Sequence, residues 1–378
     1  MFSNEELKRY SRHLLIPQLG TKGQEKLKKA RVLVIGAGGL GSPVLLYLTA
    51  AGVGKIGIVD YDTIDESNLQ RQVLFTSGEV GKLKTEIAKN KLAALNPHIQ
   101  ITTYNTRFNS SNALEIIKNY DIVADGTDNF ATRYLVNDAC VLYEKINVFA
   151  SIYRFEGQVS VFNLLEKEGA RGPNYRDVFP TPPPPGAVPN CAEAGVLGVL
   201  PGIIGAMQAS EIIKVITGIG EPLSGKMFIF DTLTMQSRVM KINKNPKNPL
   251  NGEKPTQQTL IDYELFCNTS TNDTIKEISV QELKQKIDSQ QTFQLLDVRE
   301  PAEREAAHIG GEFIPINTIP LNLNKIKKDV PVIVYCRSGI RSAKVIEFLQ
   351  EQGFTNTYNL KGGISAWAKE IDNNLPFI

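Results

Sequence analysis

Cysteine is scarce in this 378-residue chain, neither sign of charge dominates, and no apolar run is long enough to cross a bilayer. Four cysteines, widely separated at Cys140, Cys191, Cys267 and Cys336, form no disulfide framework. That pattern fits a reducing cytoplasm and leaves the thiols available for chemistry. Lys and Arg total 42 against 40 Asp and Glu, a formal charge of +2, without the basic excess of a dedicated nucleic-acid binder. The longest apolar run, Val196 to Met207, holds Pro201 and three glycines and stops at Gln208, which is too short for a transmembrane helix. The first 20 residues are rich in Glu, Lys and Arg and lack the apolar core of a secretory signal.

What is present points to two domains. Hydrophobic residues make up 42% of the chain, an ordinary globular share that argues against disorder, and the length exceeds one typical domain. Residues 31–60 run apolar strand, Gly-rich turn, amphipathic helix and second apolar strand ending in Asp60. Alternation continues with a helical pattern over Lys82–Leu95, a strand over His98–Asn105, a helix near Asn112–Asn119 and a strand over Asp121–Asp128. This order predicts a mainly parallel, doubly wound α/β sheet. Four consecutive prolines within Phe179–Asn190 resist helix and central strand and read as a crossover loop. A buried helix over Ile203–Ile216 and paired strands at Met227–Asp231 and Ser237–Ile242 follow. The polar stretch from Asn243 to Asp273 reads as a linker. The domains are therefore expected at 1–244 and 274–378, joined by 245–273, with no internal repeat between them.

Gly36, Gly38, Gly39 and Gly41 fit G-x-G-x-x-G, in which absent side chains permit a tight turn and close approach of phosphate to a helix N-terminus. Asp60, about 20 residues on, is placed to bind ribose hydroxyls. Alone, this motif favours a nicotinamide oxidoreductase or a degenerate nucleotide fold. Arg12, Arg71 and Lys84, with Asn68 and Asp128, change the balance: dinucleotide oxidation has no need for so many phosphate-directed charges, whereas attack of a carboxylate on an ATP α-phosphate does.

In the order GAGGLG, VDYDTIDESNLQRQ, LNPHI, DGTDN, EGQVSVFN and CAEAGVLG, residues 1–244 resemble the MoeB/ThiF family of ubiquitin-activating-type adenylating enzymes. The resemblance implies that Asp60 holds the ribose and that Asn68, Arg71 and Lys84 bind the triphosphate, with Asp62 among the nucleotide-site residues. Asp128 would coordinate Mg²⁺, and Arg12 would reach into the other subunit of a homodimer as an arginine finger. It also implies that Cys191 engages the activated carboxyl of a carrier protein. Family members commonly hold zinc with two Cys-x-x-Cys pairs. Here those positions are Asn174, Asp177, Asn248 and Asn251, a poor thiolate substitute, so no structural zinc is expected.

Cys336 ends the apolar strand PVIVYC and opens a loop of Arg337, Ser338, Gly339, Ile340 and Arg341 before a helical segment. Loop N–H groups, the helix N-terminus and the two guanidinium groups would favour a thiolate. A Cys-dependent phosphatase needs five residues between Cys and Arg; this loop has one fewer, so its cradle is smaller. With LLDVRE, AHIGG and LKGGISAW, residues 274–378 resemble a rhodanese domain, which implies a persulfide on Cys336. Asp297, Arg299 and Trp367 read as structural, and Cys140 and Cys267 carry no assigned chemistry.

Together the resemblances imply that ATP and Mg²⁺ adenylate the C-terminal glycine of a small ubiquitin-like, Gly-Gly-ended sulfur carrier. Sulfur from a persulfide or thiosulfate donor then passes through Cys336 to give a thiocarboxylate, Cys191 resolving the intermediate. Neither nucleic acid nor membrane is an expected partner. A non-catalytic scaffold for a carrier protein remains the alternative from another class.

Overall fold

The computed structural model describes residues 1–166, 169–183, 195–268 and 275–376. Two compact units divide between residues 267 and 268.

The first unit is built on an eight-stranded sheet: β1 (Arg31–Ile35), β2 (Lys55–Asp60), β3 (Gln100–Asn105), β4 (Ile122–Asp125), β5 (Ile146–Tyr153), β6 (Glu156–Phe162), β7 (Lys226–Asp231) and β8 (Gln236–Lys241). Its spatial order is β3-β2-β1-β4-β5-β6-β7-β8. The first five strands pair in parallel, and β5 through β8 pair antiparallel. The doubly wound expectation therefore holds for the half that carries the Gly-rich turn, while the other half is a meander whose last strand is exposed along its whole length. The sequence explains the division. β1 and β4 are near-continuous apolar runs buried on both faces, whereas Gln236–Lys241 is mostly polar, with Arg238 and Lys241 among its residues, and suits an edge. Helix Leu200–Thr217, apolar on most of its circumference, lies under β5 and β6 with Ile204 and Ile212 fully buried.

The segment that reads as a linker from residue 245 is instead part of the first unit as far as Cys267. Its polarity is misleading because its amides are satisfied internally. Asn248 Nδ2 donates to Asp177 Oδ1 at 2.7 Å, and Asn174 Nδ2 donates to Asn251 Oδ1 at 2.9 Å. Tyr263 Oη donates to Asp138 Oδ2 at 2.7 Å, where the fully buried Asp138 carboxylate also binds Arg176 through Nε and Nη2 at 2.8 and 2.7 Å. Arg176 stacks over Tyr134 and Phe266. A buried ion pair needs such extra donors to offset its desolvation, and here the tail supplies them. Cys267 accordingly sits on helix Tyr263–Asn268, half-buried, not in a free linker.

The second unit has a five-stranded, all-parallel sheet of β9 (Lys276–Ile278), β10 (Gln294–Asp297), β11 (Glu312–Phe313), β12 (Val332–Tyr335) and β13 (Thr357–Leu360), in the order β11-β10-β12-β13-β9. The central strand β12 is the VIVY run, buried at every position. It aims its C-terminal end at the loop that Cys336 opens.

Candidate functional site

Nucleotide-binding α/β sheets present ligands at the C-terminal ends of their parallel strands, and the cleft of about 430 Å³ in the first unit opens there, over β1, β2, β3 and β4. Gly36 begins the turn at φ +89°, its N–H bound to Val59 O at 2.8 Å. At Gly41 a side chain would meet Gly36 O at 1.9 Å, so only glycine lets the turn close onto the helix Gly41–Ala51. Asp60, at the end of β2, fixes the same turn. Its Oδ2 accepts from Ala37 N–H at 2.8 Å and its Oδ1 from Asp62 N–H at 2.9 Å. Burial raises the Asp60 pKa, and Lys84 and the two N–H donors partly oppose that rise.

Gly36, Gly38, Gly39, Asp60, Asp62, Asn68, Arg71, Lys84 and Asp128 all line the cleft. Lys84 is almost wholly buried, with Nζ 2.9 Å from Asp62 Oδ2. Arg71 is steered by a bond from Nη1 to Ser67 O at 3.1 Å. Asp128 is exposed and makes no ion pair among the described residues, an available hard-oxygen ligand of the kind Mg²⁺ takes together with phosphate oxygens. Arg12, on the short helix Ser11–Leu14, is exposed and does not reach this cleft. Cys191 lies outside the described residues.

Several residues in or beside the cleft carry no role read from the sequence. Asp125, buried at the end of β4, accepts from Thr127 N and Oγ1 at 3.0 and 2.6 Å, and so shapes the turn that presents Asp128. Burial raises the Asp125 pKa against the opposing Arg133 charge. Thr106, Arg107 and Phe108 close the far end of the cleft. Their place just past the end of a parallel strand is the signal that could have found them. Gln72 is the other addition: 4% exposed, against the Gly-rich turn.

In the second unit Cys336 is 1% exposed. Gly339, at φ +95°, turns its N–H toward Sγ at 3.2 Å, and helix Ile340–Glu351 begins immediately after. Ser342 Oγ lies 3.4 Å from Sγ and donates to Asn359 Oδ1 at 2.6 Å. The Gly339 N–H and the start of the helix thus face the sulfur. One expectation is corrected. Arg341 does not offer an uncompensated charge to the thiol, because Glu303 binds it in two-pronged fashion, with Nη1–Oε2 and Nη2–Oε1 both 2.6 Å. Asp297 and Arg299 form a buried pair with Nε and Nη2 bonds of 2.9 and 2.7 Å, joined by Tyr335 Oη at 2.9 Å. Trp367 packs in the core of this unit.

The residues at the zinc-cysteine positions do not fit zinc. Both oxygens of Asp177 accept N–H donors, from Asn245 N and Asn248 Nδ2 on one side and Asn174 N on the other, at 2.9, 2.7 and 2.7 Å. Asn174 Oδ1 accepts from Arg176 N at 3.0 Å and Asn248 Nδ2 at 3.2 Å. Donors converge where a cation would require lone pairs.

Comparison with known proteins agrees with this division. The ThiF family model matches residues 10–251, and the rhodanese-like domain model matches residues 279–370. A probable adenylyltransferase/sulfurtransferase MoeZ of Mycobacterium tuberculosis is 48% identical over 99% of this chain and 95% of its own length. The adenylyltransferase and sulfurtransferase MOCS3 of Drosophila virilis is 41% identical over 99% of this chain and 86% of its own. A sulfur carrier protein adenylyltransferase of Thermus thermophilus is 53% identical over 70% of this chain and 98% of its own. Among solved structures, Escherichia coli MccB with succinimide superposes with a TM-score of 0.55 at 26% identity, covering 65% of this chain and 73% of that one.

Proposed function

This chain belongs to the ThiF family and carries a C-terminal rhodanese-like domain, and from that premise we propose that it adenylates the C-terminal glycine of a ubiquitin-like, Gly-Gly-ended sulfur carrier and converts it to a thiocarboxylate. It is an adenylyltransferase and a sulfurtransferase in one polypeptide, as its full-length relatives are named. The observation that carries the reading is the pairing of a phosphate-directed cleft holding Lys84 and Arg71 with a buried cysteine in an N–H-lined loop.

In the first reaction the carrier carboxylate attacks the ATP α-phosphorus. The Pα–O bond to the β-phosphate breaks, and pyrophosphate leaves with the electron pair. Asp60 holds the ribose, and Arg71, Asn68 and Lys84 offset the phosphate charge as it shifts to the leaving group. Lys84 rests paired with Asp62 in the cleft; ATP phosphates take over that pairing. Asp128 would hold Mg²⁺, which supplies charge neutralisation on the phosphates when bound. Arg12 acts from the partner of a homodimer, which accounts for its distance from the cleft of its own chain.

In the second reaction the terminal sulfur of a Cys336 persulfide attacks the acyl carbon. The C–O bond to AMP breaks, and an acyl disulfide forms. Cys191 then attacks Cys336 Sγ, releasing the carrier thiocarboxylate and leaving a Cys191–Cys336 disulfide for a cellular thiol to reduce. The persulfide comes from a protein persulfide or thiosulfate. Covalent tethering of donor and activation units raises the effective concentration of the sulfur. The cytoplasm, reducing and ATP-rich, is the compartment this chemistry fits; among the described residues no helix is long and apolar enough to cross a membrane.

ATP–pyrophosphate exchange tests the first step. Exchange that depends on a carrier ending in Gly-Gly, and disappears when the terminal glycine is removed, is the expected result. Absence of exchange with any such carrier overturns the reading in favour of a scaffold.

A further inference from the structure

Asn359 stands inside the sheet of the second unit, on β13, in register with Val334 of β12 on one side and Glu277 of β9 on the other. It is 5% exposed, in a strand position that a β-branched apolar residue would ordinarily fill. Its amide reaches two residues of the segment that Cys336 opens. Oδ1 accepts from Ser342 Oγ at 2.6 Å, and a Cβ added to Gly339 would lie 3.5 Å from Nδ2. Gly339 and Ser342 both meet Cys336 Sγ, through the N–H at 3.2 Å and the hydroxyl at 3.4 Å.

A serine hydroxyl carries one proton and donates it to one acceptor at a time. Ser342 is wholly buried on the first turn of helix Ile340–Glu351, so solvent does not compete for that proton. The distances decide which acceptor holds it. A separation of 2.6 Å is a short O–H···O bond, whereas 3.4 Å suits the weaker contact of a thiol S–H with a hydroxyl oxygen. The chain of donors therefore runs one way, from the Cys336 S–H to Ser342 Oγ and from the Ser342 O–H to Asn359 Oδ1. To serve a thiolate, Ser342 must turn its proton to sulfur and leave Asn359 Oδ1 buried without it, at the desolvation cost of an unpaired carbonyl. With Asn359 in place the serine stays turned away, and the thiolate relies on the Gly339 N–H and the start of the helix.

We propose that Asn359 is a positioning residue of the sulfur site: by keeping the Ser342 proton it withholds a hydrogen bond from Cys336 Sγ and so favours the persulfide over the free thiolate. In loading from thiosulfate, the thiolate attacks the sulfane sulfur. A new S–S bond forms to Sγ, the bond from sulfane sulfur to the sulfonate breaks, and sulfite leaves with the electron pair. The charge on Sγ passes to the terminal sulfur, so a donor aimed at Sγ stabilises the reactant more than the product and opposes loading. The proposal rests on the reading that Cys336 carries sulfur and adds to it a residue from a neighbouring strand.

The test compares full-length wild type, Asn359→Leu, Asn359→Val, Ser342→Ala and the pair Asn359→Leu with Ser342→Ala. Two apolar replacements of different volume, each checked by melting temperature, keep a packing defect in one from deciding the result. Iodoacetamide alkylation of Cys336 is followed at pH 6 by peptide mass. Persulfide on Cys336 is read at pH 9, at a fixed ratio of thiosulfate to sulfite, from the mass of the alkylated peptide. With Asn359 replaced, Ser342 turns to sulfur, and alkylation is expected to be about 3- to 10-fold faster, the gain in thiolate outweighing its lower nucleophilicity. The ratio of persulfide to free Cys336 should fall about 10-fold. Ser342→Ala is expected to stay within about twofold of wild type, and in its background Asn359→Leu should change neither readout further. Unchanged or slower alkylation in both Asn359 variants overturns the proposal. So does an acceleration that persists equally without Ser342, since that marks a loosened loop. If wild-type Cys336 takes up no sulfur from thiosulfate, the sulfur-carrying reading fails while the alkylation rates still decide the role of Asn359.

Discussion

Lys84 and Cys336 are both nearly removed from solvent, at 4% and 1% exposure, but their surroundings answer different problems. Lys84 is surrounded by charge: it is paired with Asp62, in a cleft shared with Asp60, Arg71 and Asp128. Cys336 meets the Gly339 N–H and the Ser342 hydroxyl, with the guanidinium of Arg341 claimed by Glu303. The first site must bind a polyanion and redistribute its charge, so it stores charge in pairs that substrate can replace. The second must hold one soft, singly charged sulfur, and oriented dipoles suffice for that without attracting large anions.

The contrast is broken most sharply by variants that disable one site alone. Cys336→Ala is expected to lower thiocarboxylate formation by about a thousandfold while carrier-dependent pyrophosphate exchange persists. Lys84→Ala and Asp128→Ala should lower exchange by about 100- to 1000-fold and leave sulfur transfer from thiosulfate to cyanide within about twofold of wild type. Equal loss of both activities in any of the three variants would mean that the two sites are not separate machines.

The parts of this contrast visible in the sequence are those that depend on local rules. G-x-G-x-x-G between two apolar runs specifies a turn that only glycine can make, and VIVYC followed by a Gly-bearing loop specifies a buried strand ending in a thiol. Cys140, to which the sequence assigns no chemistry, is fully buried in helix Phe130–Leu142. What the sequence concealed depends on partners distant in the chain. Residues 245–267 look like a linker because they are polar, and only the folded chain brings Asn248 to Asp177 and Tyr263 to Asp138. The charge of Arg341 is visible as a letter, but its neutralisation requires Glu303, 38 residues earlier. Gln72 ends the recognisable run VDYDTIDESNLQRQ, yet its buried, unpartnered Oε1 is a property of packing alone.

A smaller effect concerns the tail of the first unit, whose polar side chains are satisfied by one another. Zinc should be substoichiometric in the purified protein, and chelator should not change its melting. Asp177→Ala, which removes an acceptor from Asn248 Nδ2 and from the backbone N–H groups of Asn174 and Asn245, should destabilise the first unit by about 1–3 kcal/mol. Increased protease cleavage within 245–262 would register that change, and one tightly held zinc per chain would contradict it.

The smallest expected effect is in pH. Burial pushes the Asp297 carboxyl up, but the hydrogen bonds and charge of Arg299 and the Tyr335 bond more than offset it, so its pKa lies below the ordinary range. A depressed folded pKa stabilises above the unfolded value and is lost as pH falls through the folded one. The second unit should therefore lose stability below about pH 4. Asp125 in the first unit has the opposite sign: its raised pKa favours the folded state when protonated, a contribution present below the ordinary value and lost as pH rises through the folded one. Thermal melts of Asp297→Asn and Asp125→Asn across pH 3–7 would show the two slopes, and parallel slopes would refute the assignment.

The central claim is that activation and sulfur delivery, in separate units of one chain, act on the same carboxyl group. Intact-mass measurement tests it directly, using a Gly-Gly-ended carrier from the same genome with Mg·ATP, thiosulfate and wild-type, Cys336→Ala or Lys84→Ala protein. The account predicts a mass gain equal to replacement of one oxygen by sulfur with wild type only. No gain with wild type, or a gain that survives Cys336→Ala, would contradict it.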